Sequence, residues 1–200
     1  MVHGIVLAAG QSSRMGRPKA GLLLAPGGPT FAAAVVATLR HAGVAAITVV
    51  TGAHHHAVVE ALGESAGVRV LHHEGWPAGQ LSSLVAALDA VDVPALEAIV
   101  VTLVDVPLVR PDTVAALIEA WRRTRAPIVR PALGEQHGHP VVFDRVTFPD
   151  LRAAPVAVGA KAVVARWQAG LLNLPTDDRG VLTDVDTPEE YDRLRGDGPR

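Results

Sequence analysis

The sequence predicts a single α/β domain with a mostly parallel central sheet, and three observations predict it. Short apolar runs alternate with helix-like stretches as far as Arg125. Those runs are continuous Val/Ile/Leu segments rather than strict alternations, the pattern of strands buried on both faces. The length, 200 residues, suits one domain of ordinary size. Strand–helix alternation then requires right-handed crossovers between parallel strands.

The elements follow in order. His3–Ala9 reads as the first strand, with Ile5, Val6 and Leu7 in succession. Phe31–His41 is a helix, Ala46–Thr51 a strand, and His55–Leu62 a second helix. Val68–Leu71 is a short strand, Leu81–Ala90 a helix, and Ala98–Leu103 a strand of unbroken apolar type. Pro111–Arg123 is a helix with Pro at its first position and Asp112 in its first turn, where the missing N–H and the negative charge both suit a helix N-terminus. Beyond Arg125 the pattern loosens. Pro127–Pro131 and Pro140–Phe143 look like strands flanking a Gly/His loop, and helices are expected near Lys161–Gln168 and Pro188–Leu194. No linker divides the chain, so residues 1–195 are expected to form one domain and 196–200 a flexible tail.

Composition removes several functions. With 49% hydrophobic residues and a formal charge of −2, the chain is neither disordered nor basic enough to coat a nucleic acid. No window reaches eighteen uninterrupted apolar residues, and Gly4–Ala9 is too short for a signal-peptide core. No membrane partner and a cytoplasmic location are therefore expected. The absence of cysteine excludes a disulfide framework and a thiolate metal site. His54-His55-His56 attracts attention, but consecutive residues do not share a helix face, so the run reads as the polar start of a surface helix. His72 is read the same way.

In open α/β sheets, ligands bind where the carboxyl ends of the strands open into loops, and several such loops carry unusual residues. The first runs Leu7-Ala8-Ala9-Gly10-Gln11-Ser12-Ser13-Arg14-Met15-Gly16-Arg17-Pro18-Lys19. Its small residues let backbone approach a ligand closely. Ser12, Arg14 and Lys19 supply donors and positive charge suited to phosphate. Neither the P-loop ending nor the Gly-x-Gly-x-x-Gly dinucleotide pattern is present. A polar surface turn is the alternative reading. Asp105, after Ile99–Val104, sits where a carboxylate would face the mouth of the sheet. Mg²⁺ takes one or two carboxylates plus substrate phosphates, although a turn-capping Asp before Pro107 is equally consistent with the residues. Thr183-Asp184-Val185-Asp186-Thr187-Pro188 offers a second carboxylate. A strand there would put Asp184 and Asp186 on one side, while Asp186 or Thr187 could instead cap the helix beginning at Pro188. Gly79-Gln80-Leu81-Ser82-Ser83 opens a helix whose free N–H groups suit a base edge or an anion, with N-capping as the alternative for the serines.

Taken together these residues resemble the molybdenum-cofactor-type nucleotidyltransferases. Leu7-Ala8-Ala9-Gly10-x-Ser12-x-Arg14-Met15-Gly16-x-Pro18-Lys19 is similar to the family's signature at nearly every position. Ala8-Ala9-Gly10 resembles the cytidylyltransferase branch, which uses CTP. Further likeness lies in Trp76-x-x-Gly79-x-x-Ser82-Ser83-Leu84, Asp105-x-Pro107, Gly138-His139-Pro140, Gly159-Ala160-Lys161 and Asp184-x-Asp186-Thr187-Pro188-Glu189.

The resemblance implies a three-layer, Rossmann-like nucleotidyltransferase (GT-A-like) fold. It implies that Leu7, Ala8, Ala9, Gly10, Ser12, Gly79, Gln80, Ser82 and Ser83 bind the nucleotide, and that Arg14 and Lys19 hold the triphosphate. Asp105 with Asp186, or Asp184, would bind Mg²⁺ or Mn²⁺. His139 and Lys161 would contact a phosphorylated acceptor, molybdopterin in this family, with a molybdoenzyme or its chaperone as a further partner. Other readings on the same fold are a sugar-phosphate or phospholactate nucleotidyltransferase, an NAD(P)H-dependent reductase of the nicotine-blue type, and a non-catalytic cofactor carrier.

Overall fold

The structure is a computed structural model and describes residues 1–63 and 67–196. The last four positions of the expected tail, 197–200, lie outside the described residues. Strands are β1 (Val2–Ala8), β2 (Ala46–Thr51), β3 (Val68–His72), β4 (Ala98–Leu103), β5 (Ile128–Leu133), β6 (Gln136–His137), β7 (Val141–Asp144) and β8 (Leu172–Pro175). Helices are α1 (Phe31–His41), α2 (His55–Leu62), α3 (Gln80–Val91), α4 (Pro111–Thr124), α5 (Phe148–Ala153), α6 (Lys161–Arg166) and α7 (Pro188–Arg195). The eight strands belong to one sheet in the order β3-β2-β1-β4-β7-β5-β6, with β8 also paired to β5.

The expected parallel core is present: β1 pairs in parallel with β2 and β4, and β2 with β3. The run Ile5-Val6-Leu7 splits between the faces as period two requires. Val6 packs beside α1, α2 and α4, whereas Ile5 and Leu7 join a cluster with α3, α5 and α6. Helices therefore cover both faces in three layers, as expected. The second half departs from the parallel pattern. β7 runs antiparallel to β4 and β5, while β8 is parallel to β5. The short β6 and β8 and the helix α5 were not expected. β8 alternates half-buried with exposed residues over Leu172–Pro175, too weak a signal to read as a strand. α6 also ends at Arg166, short of the expected Gln168.

This topology positions the site. The chain winds outward from β1 to β3, then returns to place β4 on the other side of β1. The carboxyl ends of β1 and β4 thus form a switch point, where adjacent connections leave in opposite directions and open a crevice. Register aligns Leu7 with Leu103, and the Val104 amide continues the pairing to the Leu7 carbonyl at 3.1 Å. The glycine-rich loop and Asp105 consequently emerge side by side. A third apolar cluster of Met15, Leu22, Phe31, Val185 and Tyr191 lies beneath that crevice. It fastens the first loop to the C-terminal segment, which are 170 positions apart between Met15 and Val185. Among the described residues no helix is long and apolar enough to cross a membrane.

Candidate active site

The immediate neighbours of two buried anchors are candidate site residues. Arg14 precedes Met15, and Asp186 follows Val185. Packing Met15 and Val185 into one cluster brings Arg14 and Asp186 together, with guanidinium and carboxylate 2.6 Å apart. The Val185 amide also donates to the Asp105 carbonyl at 2.9 Å, drawing the C-terminal segment to the end of β4. Lys19 completes the arrangement. Its ammonium is buried, donates to Asp105 Oδ2 at 2.8 Å, and pairs with Asp186 Oδ1 as well. One ammonium therefore links two carboxylates separated by most of the chain.

The electrostatics follow from that contact. Burial alone would lower the Lys19 ammonium, but hydrogen bonds to Asp105 and Asp186 carry it above lysine's ordinary value. Burial likewise pushes the Asp186 carboxyl up, and Lys19 and Arg14 outweigh it and hold the group low. The α7 capping alternative resolves in favour of Thr187. The Thr187 hydroxyl accepts from the Glu190 amide, while the Glu190 carboxylate accepts from the Thr187 and Asp186 amides, forming a capping box. Asp186 is thus released from capping. Asp184 is exposed and lies in irregular chain, so the strand that would have aligned it with Asp186 does not form. The structure brings Asp186, and not Asp184, onto Lys19.

The carboxylates fit a divalent cation. Asp105 Oδ1 is buried without a hydrogen-bond partner, and Asp186 faces the same ammonium as its sister oxygen. Hard oxygen donors of this kind suit Mg²⁺ or Mn²⁺. No group of three or more His, Asp or Glu among the described residues converges as a metal cage. Two carboxylates therefore leave most coordination positions to phosphate and water, the usual arrangement for Mg²⁺ in phosphoryl-transfer sites.

Above the carboxylates lies a cavity of about 340 Å³. Leu7, Ala8, Ala9, Gly10, Ser12, Gly79, Gln80, Ser83, Lys19 and Asp105, all expected site residues, line it. Arg14 reaches the site from outside this lining, with 69% of its side chain exposed. Ser82 departs from expectation. Its hydroxyl donates to the Gly79 carbonyl at 2.7 Å and lies 3.2 Å from His73 Nε2, so it fastens the Trp76 loop instead of facing the cavity.

His54 and Trp76 are among the lining residues outside the expected set. His54, set aside as part of a polar helix start, faces the cavity and donates from Nε2 to the Gln11 carbonyl at 2.9 Å. Trp76 forms another wall. Gly52 is what lets it close, because a Cβ there would stand 2.6 Å from the Trp76 ring and 2.7 Å from the Ala9 carbonyl oxygen. Trp76 belongs to the segment that resembles the family's, whereas His54 becomes visible only when β2 is aligned beside β1. His55 instead bonds Thr51 and stacks on His72, their rings 4.5 Å apart.

A second chamber, about 560 Å³, opens on the α3/α5/α6 side. His139 and Lys161, the two expected acceptor contacts, both line it. Burial pushes the His139 imidazole below its ordinary value, opposed by a hydrogen bond to the Val101 backbone and the charges of Asp105 and Asp184. Its Nδ1 is buried and unpartnered. Gly138 permits this placement. A Cβ there would meet the Val181 carbonyl oxygen at 1.7 Å, and the His139 amide donates to that same carbonyl at 3.0 Å. Leu7, Gln80 and Leu103 line both cavities and so form the seam between them.

A profile of the MobA-like NTP transferase domain matches residues 4–173. The chain belongs to this family. It is accordingly a nucleotidyltransferase. It is 30% identical over 197 residues to a probable molybdenum cofactor guanylyltransferase of Opitutus terrae, covering 96% of this chain and 94% of that one. It is also 30% identical over 200 residues to the nicotine blue oxidoreductase of Paenarthrobacter nicotinovorans, with 96% of each chain covered. Among solved structures, Rv0371C of Mycobacterium tuberculosis in complex with manganese superposes with a TM-score of 0.76 at 30% identity, covering 98% of both chains.

Proposed function

We propose that this protein transfers a cytidylyl group from CTP to the terminal phosphate of molybdopterin and releases pyrophosphate. The observation that carries the proposal is the bridge from Lys19 to Asp105 and Asp186, at the floor of the glycine-rich cavity and beside a basic second chamber. Ala8-Ala9-Gly10 supports CTP as the nucleotide. The guanylyltransferase name of the Opitutus relative makes GTP the competitor to test. The manganese bound to Rv0371C supports a divalent cation here as well.

The chemistry needs no side-chain nucleophile. An acceptor phosphate oxygen attacks the α-phosphorus, the bond from that phosphorus to the bridging oxygen breaks, and pyrophosphate leaves with the electron pair. The Gly10 loop positions the triphosphate, and Arg14 and Lys19 neutralise charge on its oxygens. A divalent cation held by Asp105 and Asp186 would supply further charge neutralisation at the phosphates. Lys19 and Arg14 can release Asp186 to that cation and turn to the phosphates. His139 orients the acceptor at the seam, and Lys161 faces it from α6. Residues 1–195 act as one domain in this reading. It places the enzyme in the cytoplasm, where nucleoside triphosphate is supplied, with a molybdoenzyme or its chaperone receiving the product.

The relative named nicotine blue oxidoreductase keeps a reductase as a second reading. Hydride transfer gives no role to two carboxylates bridged by a lysine, which favours the transferase. The test is pyrophosphate release with CTP, GTP and ATP, with and without molybdopterin and Mg²⁺. Release that needs CTP, molybdopterin and Mg²⁺ together is expected. Metal-independent NAD(P)H oxidation with no pyrophosphate from any nucleotide overturns the assignment.

A further inference from the structure

The acceptor chamber holds more positive charge than one phosphate calls for. Its titratable lining residues are Arg130, His137, His139 and Lys161, and no Asp or Glu among the described residues lines it. Arg130 is half-buried, whereas every other arginine among the described residues is exposed. Arg14, Arg110, Arg125, Arg145 and Arg152 each hold a carboxylate. Arg130 instead donates from Nε to the neutral Asn173 side chain at 2.8 Å, and among the described residues no carboxylate lies within ion-pair reach of it. Burial lowers its guanidinium with nothing to oppose the effect. Partial burial and the Arg130 charge push His137 down in turn, so these two groups crowd each other. A half-buried arginine without a counter-ion, set beside a histidine it repels, is unfavourable until an anion joins them.

Position adds a length. Arg130 shares its face of β5 with Ile128, toward α3, α5 and α6. β7 separates β5 from β4, and Val129 opposite Val142 opposite Val100 sets Arg130 level with Val101, so Arg130 stands two strand spacings, roughly 10 Å, across the sheet from β4 and four residues short of Asp105 along it. The space between is walled by Leu81, Leu84, Val101, Val141 and Phe143, an apolar bed for a ring system.

We propose that Arg130, with His137 beside it, forms a second anion subsite in the acceptor chamber, selecting a ring-bearing acceptor that carries an anionic group more than about 10 Å from the phosphate being joined. Two Nη groups free of protein partners give Arg130 the fork that grips a carboxylate or similar oxyanion. The subsite rests on the two-substrate reading above, but it is separable from the identity of the acceptor.

The experiment uses two fluorescent probes on the full chain, pterin-6-carboxylate and neutral 6-hydroxymethylpterin. The wild type should bind the carboxylate about tenfold more tightly than the neutral ring. Arg130→Gln should erase that preference while leaving CTP affinity and Tm unchanged, and Arg130→Lys should restore part of it. A preference that survives in Arg130→Gln, or is absent from the wild type, overturns the subsite. Pyrophosphate release with molybdopterin is followed in parallel. An Arg130-dependent preference without release upholds the subsite and overturns the molybdopterin reading alone; release without any preference does the reverse.

Discussion

The nucleotide cavity and the acceptor chamber share Leu7, Gln80 and Leu103 as a wall, yet they handle charge in opposite ways. At the nucleotide end every cation is matched: Lys19 binds Asp105 and Asp186, and Arg14 binds Asp186. At the acceptor end Arg130, His137 and Lys161 line a chamber without a carboxylate among the described residues. The difference follows from what each ligand brings. A nucleoside triphosphate arrives with divalent cations, so its site needs carboxylates to receive the metal and cations to receive the phosphates. These neutralise one another until the ligand enters. A phosphorylated acceptor brings anions alone, so its chamber needs only positive charge. The formal net charge of −2 reveals nothing of this division.

The comparison breaks most completely at Asp105. Asp105→Ala removes the carboxylate with the unpartnered Oδ1 and leaves Lys19 with Asp186 alone. Turnover should fall by roughly 10²–10³ or more, the scale of one lost electrostatic contact in a transition state. The fold should survive, because Asp105 contributes to no apolar cluster. Steady-state pyrophosphate release and the thermal midpoint of the same preparation check both halves. Near-normal turnover would show that the matched charges serve stability instead of chemistry.

Lys19→Met sharpens the comparison further. The variant should lose activity on a similar scale. In the absence of nucleotide, however, it should bind Mn²⁺ about tenfold more tightly than the wild type, since two carboxylates no longer share an internal cation. Electron paramagnetic resonance of free Mn²⁺ reads this without any turnover. Unchanged or weaker binding would mean that Lys19 does not stand in for the metal.

The same division marks what the sequence made legible. The parallel half was readable because burial on both faces writes itself as unbroken apolar runs, as in Ile99-Val100-Val101. The glycine-rich loop and Asp105 were readable because they leave such strands directly. Asp186 remained one of two candidates until Val185 was seen to be buried and Thr187 to cap α7. A strand alternation assumed for Asp184 and Asp186 misled, since irregular chain does not impose period two. The antiparallel half was harder. β8 is half exposed, and its pairing with β5 is a long-range fact that no local pattern carries. Arg130 was missed for the same reason. On the sequence it is one arginine in an apolar run, and only the chamber wall gives it a role. His54 shows the converse, a residue dismissed for its neighbours that nonetheless faces the nucleotide cavity.

The smallest effect separates a matched cation from an unmatched one. Lys161 begins α6, is exposed, and makes no ion pair among the described residues. Removing it therefore breaks no protein contact, and Lys161→Ala should leave Tm within about a degree, since exposed substitutions away from such contacts shift stability by under roughly 0.5 kcal/mol. Its effect should fall on the acceptor alone: KM for molybdopterin rises about three- to tenfold, in keeping with one charge-assisted contact near solvent, while KM for CTP is unchanged. Arg14→Ala is the matched counterpart. Arg14 is largely exposed, so its pair with Asp186 adds little stability, but its loss should raise KM for CTP and leave the acceptor untouched. If the two variants instead raised both KM values together, the seam at Gln80 would not separate two chambers, and the charges on either side would serve a single ligand.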